Sequence, residues 1–470
     1  MPTLELPSPE PMKRIVVLGP KDRLRQVLLR LGQMGQVEPV GEVPSPSGPA
    51  ADAMRRLLRD RPGVSPKPVA APEPIDVSAA EEKGELERLA GEAELDRYGR
   101  MALEHDSLFG LVAWAPASGV SEVQESLAPL GTAVTSIDIP RGVDPPTQVR
   151  RAQVASRFAP LIDTYGVLPY SDVDPTWFAA LAFVVMFGMM FGDVGHGLIL
   201  ALAGVVVARA TRGRLARFRP AWPLLVATGL SGTLFGVAYG EAFGPTGLVP
   251  ALWIGPLEDP IRLLTVAVIV GSALLAVSYL LGTVNRWREG GPRAALYAPA
   301  GLGGFAIFAG LALGVAGIAF HTAALWAIGT AMAGFGVVTV FVGAVVAGGG
   351  GGAGIARGLV EAFDTVLGIF TSAVSFARLA AFGMTHAALS LVVWNGTVGL
   401  AGMGVVGWIG AVLLFVVGTA ATLALEGLVA FVQALRLEYY ELFSRVFAGE
   451  GRPFRPFTIT QIEPTTQEES

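Results

Sequence analysis

From Phe178 onward the apolar residues run in long uncharged blocks, near 178–208, 222–243, 263–285, 296–320, 322–348, 359–396 and 404–435. Several exceed the roughly 18–20 residues needed to cross a bilayer. Upstream the pattern is that of soluble structure. Lys13–Gly19 predicts a short strand, residues 21–33 a helix, and Val37–Val43 a second strand. Residues 44–79, rich in Pro, Ala and Ser, read as a linker with at most one short helix near Met54–Arg59. Glu81–His105 reads as a charged helix, Leu108–Trp114 as a strand, Glu122–Leu130 as a helix and Ala133–Ile139 as a strand. Two βαβ-like halves around a helical connector predict a small α+β lobe.

Loop charges test the number of passes, because Lys and Arg collect on the cytoplasmic side. Arg209, Arg212, Arg214, Arg217 and Arg219 follow the first block, and Arg150, Arg151 and Arg157 precede it. Both its ends are thereby cytoplasmic, so 178–208 is expected to be a hairpin of two short passes, turning at Gly192-Asp-Val-Gly-His-Gly197. The remaining loops alternate. Residues 244–260 lack Lys and Arg and lie outside, whereas Arg286, Arg288 and Arg293 are inside. His321 is outside, Arg357 inside, Asn395–Gly404 outside, and Arg445, Arg452 and Arg455 inside. The expected protein is a polytopic α-helical membrane protein with eight transmembrane helices, the last two long and tilted. Its expected parts are a cytoplasmic α+β domain over 1–165, a membrane domain over 166–445 and a cytoplasmic tail over 446–470. No secretory signal is visible in the Pro- and Glu-rich opening, and Met12 is an alternative start.

Composition narrows the chemistry. Hydrophobic residues make up 52%, charged residues 16%, and mean hydropathy is +0.54. A typical soluble chain is about 25% charged, so a soluble enzyme is excluded for the membrane part. The chain has no cysteine, which removes disulfides, thiolate metal sites and thiol nucleophiles. The lobe has no Gly-rich phosphate loop, metal spacing or triad, so ATP chemistry is not expected on this chain. No cofactor, metal or nucleic-acid partner is expected. Only four of the 34 basic residues are Lys. That bias, with abundant Ala and Gly, suits a GC-rich coding sequence, and small-residue spacings carry little weight on their own.

The last two blocks are unusual. Residues 359–396 would span about 57 Å as one helix, so a strong tilt or a break is required. Between Asp364 and Glu426 the chain has one formally charged residue, Arg378. A mid-membrane Arg costs about 2.5–3.5 kcal/mol on the insertion scale. Thr371, Ser375, Arg378 and Thr385 recur at helical spacing as one polar stripe. The final block carries Glu426, Gln433 and Arg436, then Glu438 and Glu441. With the two helices running oppositely, His386 and Glu426 fall on the outer side of Arg378 and Arg436. A polar lane ending at a buried Arg suits a half-channel; the alternative is an internal structural ion pair. Asp193 and His196 read as turn geometry or half-channel groups, and Glu241 as an interfacial residue or part of the outer path.

Four stretches carry a resemblance. They are Asp174-Pro-Thr176 leading to Met186–Gly197, then Ser375–Ser390, Leu425–Glu438 and Phe447–Phe457. With them the chain resembles the membrane-embedded stator subunit (subunit a, or I) of V/A-type rotary ATPases, over 160–457 and in Met12–Glu42. The resemblance implies a non-catalytic chain beside a rotating proteolipid c-ring, forming two half-channels for protons or sodium and coupled to ATP hydrolysis or synthesis. It implies further partners in peripheral-stalk and central-stalk subunits and lipid, and a bacterial or archaeal cell membrane with both termini cytoplasmic. Arg378 matches the family's essential arginine, and Arg436, Glu426 and His386 match its half-channel positions. Gln433 stands where His is frequent. The soluble arm departs from the family, since residues 44–107 leave room for only a stub of coiled coil. A secondary transporter binding an anion at Arg378 is the alternative; the absence of a convincing internal repeat disfavours it.

Overall fold

In β1 (Met12–Pro20) Ile15 and Val17 are buried while Arg14 and Val16 lie on the opposite face, the period-two pattern of a half-buried strand. The structure is a computed structural model. It describes residues 9–61, 63–140, 143–149, 157, 158, 161, 166–447 and 451–461; the loop residues Arg150 and Arg151 lie outside that set. The described residues divide into two compact units, one holding 9–149 with 451–461 and the other 157–447.

In the first unit β1 is followed by α1 (Leu24–Met34), β2 (Glu38–Pro39), α2 (Pro49–Arg59), β3 (Val69–Ala70), α3 (Val77–Glu82) and α4 (Leu86–Gly99). Then come β4 (Leu103–His105), β5 (Leu108–Pro116), α5 (Val120–Leu127) and β6 (Ala133–Ile137). The sheet runs β2-β5-β1-β6 with β4 on β5, and every pairing is antiparallel. Each βαβ half places its strands apart with a strand of the other half between them, a split arrangement. Two expectations change. The helix expected over Glu81–His105 is broken at Gly84, whose φ of +67 ends α3. Its last residues instead form a hairpin strand, turned through Asp106 at φ 49. The strand expected over Val37–Val43 shrinks to two residues, because Pro39 has no N–H to donate and Gly41 turns away at φ +118.

The core of this unit is closed by residues from the other end of the chain. Phe457 and Ile459 are buried among Val27, Leu28, Leu31, Phe109 and Leu111. The Phe457 amide donates to Val37 O (2.8 Å) and that of Ile459 to Gly32 O (3.0 Å). β7 (Thr460–Gln461) then pairs in parallel with β3. Glu38 is paired with Arg452 at 2.9 Å and accepts from the Arg455 amide at 2.8 Å. Burial still raises its carboxyl above the usual range, against the pull of those two partners.

The second unit is helical: α6 (Thr176–Met190), α7 (Val194–Arg209), α8 (Trp222–Tyr239), α9 (Pro260–Tyr297), α10 (Leu302–Ala319) and α11 (Ala323–Ala347). There follow α12 (Gly351–Ser375), α13 (Ala377–Ala401) and α14 (Val405–Leu437), which runs on through a π-helical stretch, Glu438–Phe443, into α15 (Ser444–Val446). Six helical stretches are long and apolar enough to cross a membrane, with α12 and α13 forming one stretch of 51 residues. This is a polytopic helical membrane protein. The block 178–208 is indeed two helices, but at 15 and 16 residues α6 and α7 fall short of the length that would make eight full spans. Within 359–396, where a strong tilt or a break is expected, α12 and α13 meet at Phe376, whose backbone stays right-handed helical (φ −70, ψ −15) and whose fully buried side chain is pressed against α9 at Gly271.

Glycines set the closest approaches. A Cβ on Gly229 of α8 would stand 2.4 Å from the Ala201 amide nitrogen on α7, and one on Gly197 2.5 Å from that of Thr233. In lipid, where apolar burial gives little drive, such backbone contact is what holds helices together.

Candidate functional site

Asp193 is fully buried at the break between α6 and α7. Its Oδ1 accepts the amides of His196 (2.9 Å) and Phe243 (3.0 Å), and Oδ2 that of Gly244 (2.7 Å). It thus caps α7 and ties down the loop that follows α8. Gly244, at φ +91, packs against Ser390 of α13, where a Cβ would lie 2.8 Å from the serine Cβ. Asp193, read from the sequence as turn geometry or a half-channel group, makes the contacts of a turn and helix cap here. His196 has a different place: its ring projects into the interior, 2% exposed, edge-on to His386 with centroids 5.3 Å apart. Phe191 and Phe243 flank the pair.

His386 of α13 contacts Glu426 of α14 through its Nδ1. Antiparallel neighbours joined by a short turn bring these two positions, forty residues apart, to one level. Glu241 sits just past the C-terminus of α8, 3% exposed, and its carbonyl accepts the Val194 amide at 2.9 Å. Its Oε2 is buried with no hydrogen-bond partner. A cleft of about 310 Å³ lined by Tyr239, Glu241, Pro245 and Glu258 leads to this residue. The structure thus gathers Asp193, His196, Glu241, His386 and Glu426 from the α6–α7 break, the loop after α8, and helices α7, α13 and α14.

Arg378 stands apart from that group, eight residues before His386 on α13, or about 12 Å along the axis. It is half-buried, just after the junction at Phe376. The ion pairs of this unit are Asp193–His196, Arg286–Glu289 and Glu426–His386, and among the described residues neither Arg378 nor Arg436 belongs to one. Arg436 and Glu441 are the charges that act on Arg378. Gln433, one turn before the exposed Arg436, has a buried Oε1 without a partner. Ser375 is half-buried at the end of α12. Two members of the polar stripe are occupied locally, Thr371 on Leu367 O and Thr385 on Ala381 O.

Two buried groups are not named in the sequence reading, and a third, Glu438, is named there only as one of the polar residues of the final block. Asn285 of α9 accepts the Val173 amide at 3.0 Å and donates to Val446 O at 3.1 Å, joining the segments before α6 and after the π stretch. Asp172 is fully buried beside Glu289; burial, reinforced by Glu289 and opposed by Arg286, pushes its carboxyl up to about 7. Glu438 is also fully buried, at the start of the π-helical stretch, and neither carboxylate oxygen finds a partner. An Asn or Glu in an apolar helix is a visible signal, but the π turn that buries Glu438 leaves no mark in the sequence.

A family model described as the V-type ATPase 116 kDa subunit family matches residues 101–216 and 355–459. The second match contains Arg378, His386, Glu426 and Arg436, and the first contains Asp193 and His196. The chain is similar to this family over both stretches. Relatives include the A-type ATP synthase subunit I of Pyrococcus horikoshii, 28% identical over 81% of this chain and 59% of the relative. Those of Pyrococcus abyssi (27%, over 79% and 57%) and Thermococcus kodakarensis (29%, over 74% and 54%) are similar. The chain thus spans a little over half the length of the curated relatives it matches.

Proposed function

We propose that this chain is a member of the V-type ATPase 116 kDa subunit family and the membrane stator subunit of a rotary ATPase. It would carry protons or sodium through two half-channels against a proteolipid ring, and it would not itself hydrolyse ATP. The observation that carries this reading is Arg378: a guanidinium within the apolar helices that, among the described residues, belongs to no ion pair, although the charge of Glu441 reaches it. A guanidinium stays protonated at any working pH, so it favours the ionised form of each carboxylate that a neighbouring ring brings beside it. That ring acid would release its ion to one half-channel, pass the arginine charged, and reload from the other. A fixed positive charge also blocks leakage between the channels.

The partner surface fits. α14 and its continuation bury only 11% of their apolar window inside the protein, against 22–33% for the other candidate spans. Leu413, Val416, Leu425 and Leu428 lie exposed along it. We place the outer half-channel at Glu241, Asp193, His196, His386 and Glu426, and assign Gln433, Arg436 and Ser375 to the polar surroundings of Arg378. In this reading α6 and α7 are two short passes, giving eight in all with both termini cytoplasmic. The α+β lobe, with the helical connector α2–α4 as its shortened arm, would meet the stalk subunits. The test is Arg378→Ala in the assembled complex. ATP-coupled ion pumping is expected to vanish while the subunits still copurify, and undiminished pumping would overturn the assignment.

A further inference from the structure

We propose that Asp193, His196 and His386 form a binding site for a divalent cation of the zinc type. Among the described residues these three are the one group of His, Cys, Asp or Glu side chains placed to share a metal, with one donor atom from each within 4.8 Å of the others. His196 Nδ1 and Asp193 Oδ1 are 3.1 Å apart. Donors on a tetrahedral zinc with bonds of about 2.0–2.1 Å are about 3.3 Å apart, so one edge of the site is nearly formed. The third donor closes by at most about 1.5 Å, within the reach of a side-chain rotation.

The second observation is the state of the His386 ring. Its Nδ1 is held by Glu426, and its Nε2 is buried with no hydrogen-bond partner. A carboxylate on one ring nitrogen and a free second nitrogen is the arrangement in which protein histidines bind metals. Asp193 is held by three backbone amides, so its carboxylate is positioned before any metal arrives. Two imidazoles and one carboxylate select zinc, copper or nickel over magnesium and calcium, which prefer all-oxygen sites. Resting on the half-channel reading above, a metal bound here would stand in the outer path and block ion flow.

The experiment titrates zinc into the purified full chain in lipid nanodiscs by calorimetry, with cobalt as a spectroscopic probe. One equivalent is expected, with the visible bands of tetrahedral cobalt. Of the chain's four histidines, His196→Ala and His386→Ala should each weaken binding at least tenfold, and His105→Ala and His321→Ala should leave it unchanged. Glu426→Gln should weaken it by about 10–100-fold. Zinc-edge X-ray absorption on the unmutated chain should count two imidazoles, a readout independent of whether the variants fold. Absence of binding, a site without imidazoles, or one lost with His105 or His321 would overturn the inference. Binding is measured without turnover, so a failed Arg378 test leaves it standing. Zinc bound at these residues with undiminished pumping would support the site and remove the outer path from it.

Discussion

Ile459 donates its amide to the carbonyl of Gly32, and its Cγ2 occupies the place a Cβ on residue 32 would take, 2.3 Å away. A segment near the C-terminal end of the chain is thereby part of the core of the α+β lobe. Ile459→Ala is expected to destabilise that lobe by about 2–4 kcal/mol. Gly32→Val should detach β7 from β3 altogether. Both are measured as amide hydrogen exchange in β1 and β5, which should rise in each variant and stay unchanged in α9–α11.

Glu426 should matter for flux rather than for assembly. Glu426→Gln keeps the volume and a contact with His386 but cannot relay a proton, so ion pumping should fall on the order of 10²-fold. Copurification of the ring and stalk subunits should be unaltered. Pumping at the wild-type rate would remove Glu426 from the path.

Asn285 satisfies two backbone groups from segments on either side of α9. Asn285→Leu leaves the Val173 amide and the Val446 carbonyl buried without partners, at roughly 1–3 kcal/mol each. A lowered melting temperature in detergent is expected. Asn285→Asp, which can still accept from Val173 but cannot donate to Val446, should fall between the two.

Asp172 makes stability depend on pH in a defined direction. Its carboxyl titrates near 7 in the folded protein and near 3.9 in an unfolded chain. The folded state therefore holds a proton that the unfolded chain releases, and this contribution is lost as pH rises through about 7. Melting temperature should fall between pH 5 and pH 7.5, and Asp172→Asn should flatten that slope. An unchanged slope in the variant would assign the effect elsewhere.

The helices of the membrane unit are legible in the sequence because a bilayer demands long apolar runs, and the break near Gly192 follows from Arg on both flanks of one block. Arg378, Glu426 and His386 stand out because polar groups in hydrocarbon are costly. The packing of Gly197 and Gly229 was not legible: glycine is so frequent here that spacing alone carries no weight, and only the backbone approach singles out those two. His196 shares the turn with Asp193 and reads from the sequence as turn geometry or a half-channel group; its ring is buried beside His386, and Asp193 caps the helix. The docking of Phe457 and Ile459 was hidden for another reason. Partners separated by more than four hundred residues leave no local periodicity, and Pro-rich flanks read as a free tail.

That distant docking sets an order of events during synthesis. A ribosome adds about 5–20 residues per second, so β1 and α1 emerge on the order of half a minute before Phe457 and Ile459 exist. Throughout that interval Leu28, Leu31 and Val37 lack their covering side chains while the intervening helices are being inserted into the bilayer. The nascent lobe needs shelter for as long as insertion lasts, and a polypeptide stalled or cleaved before its final segment would carry a permanent mark of incompleteness at its opposite end.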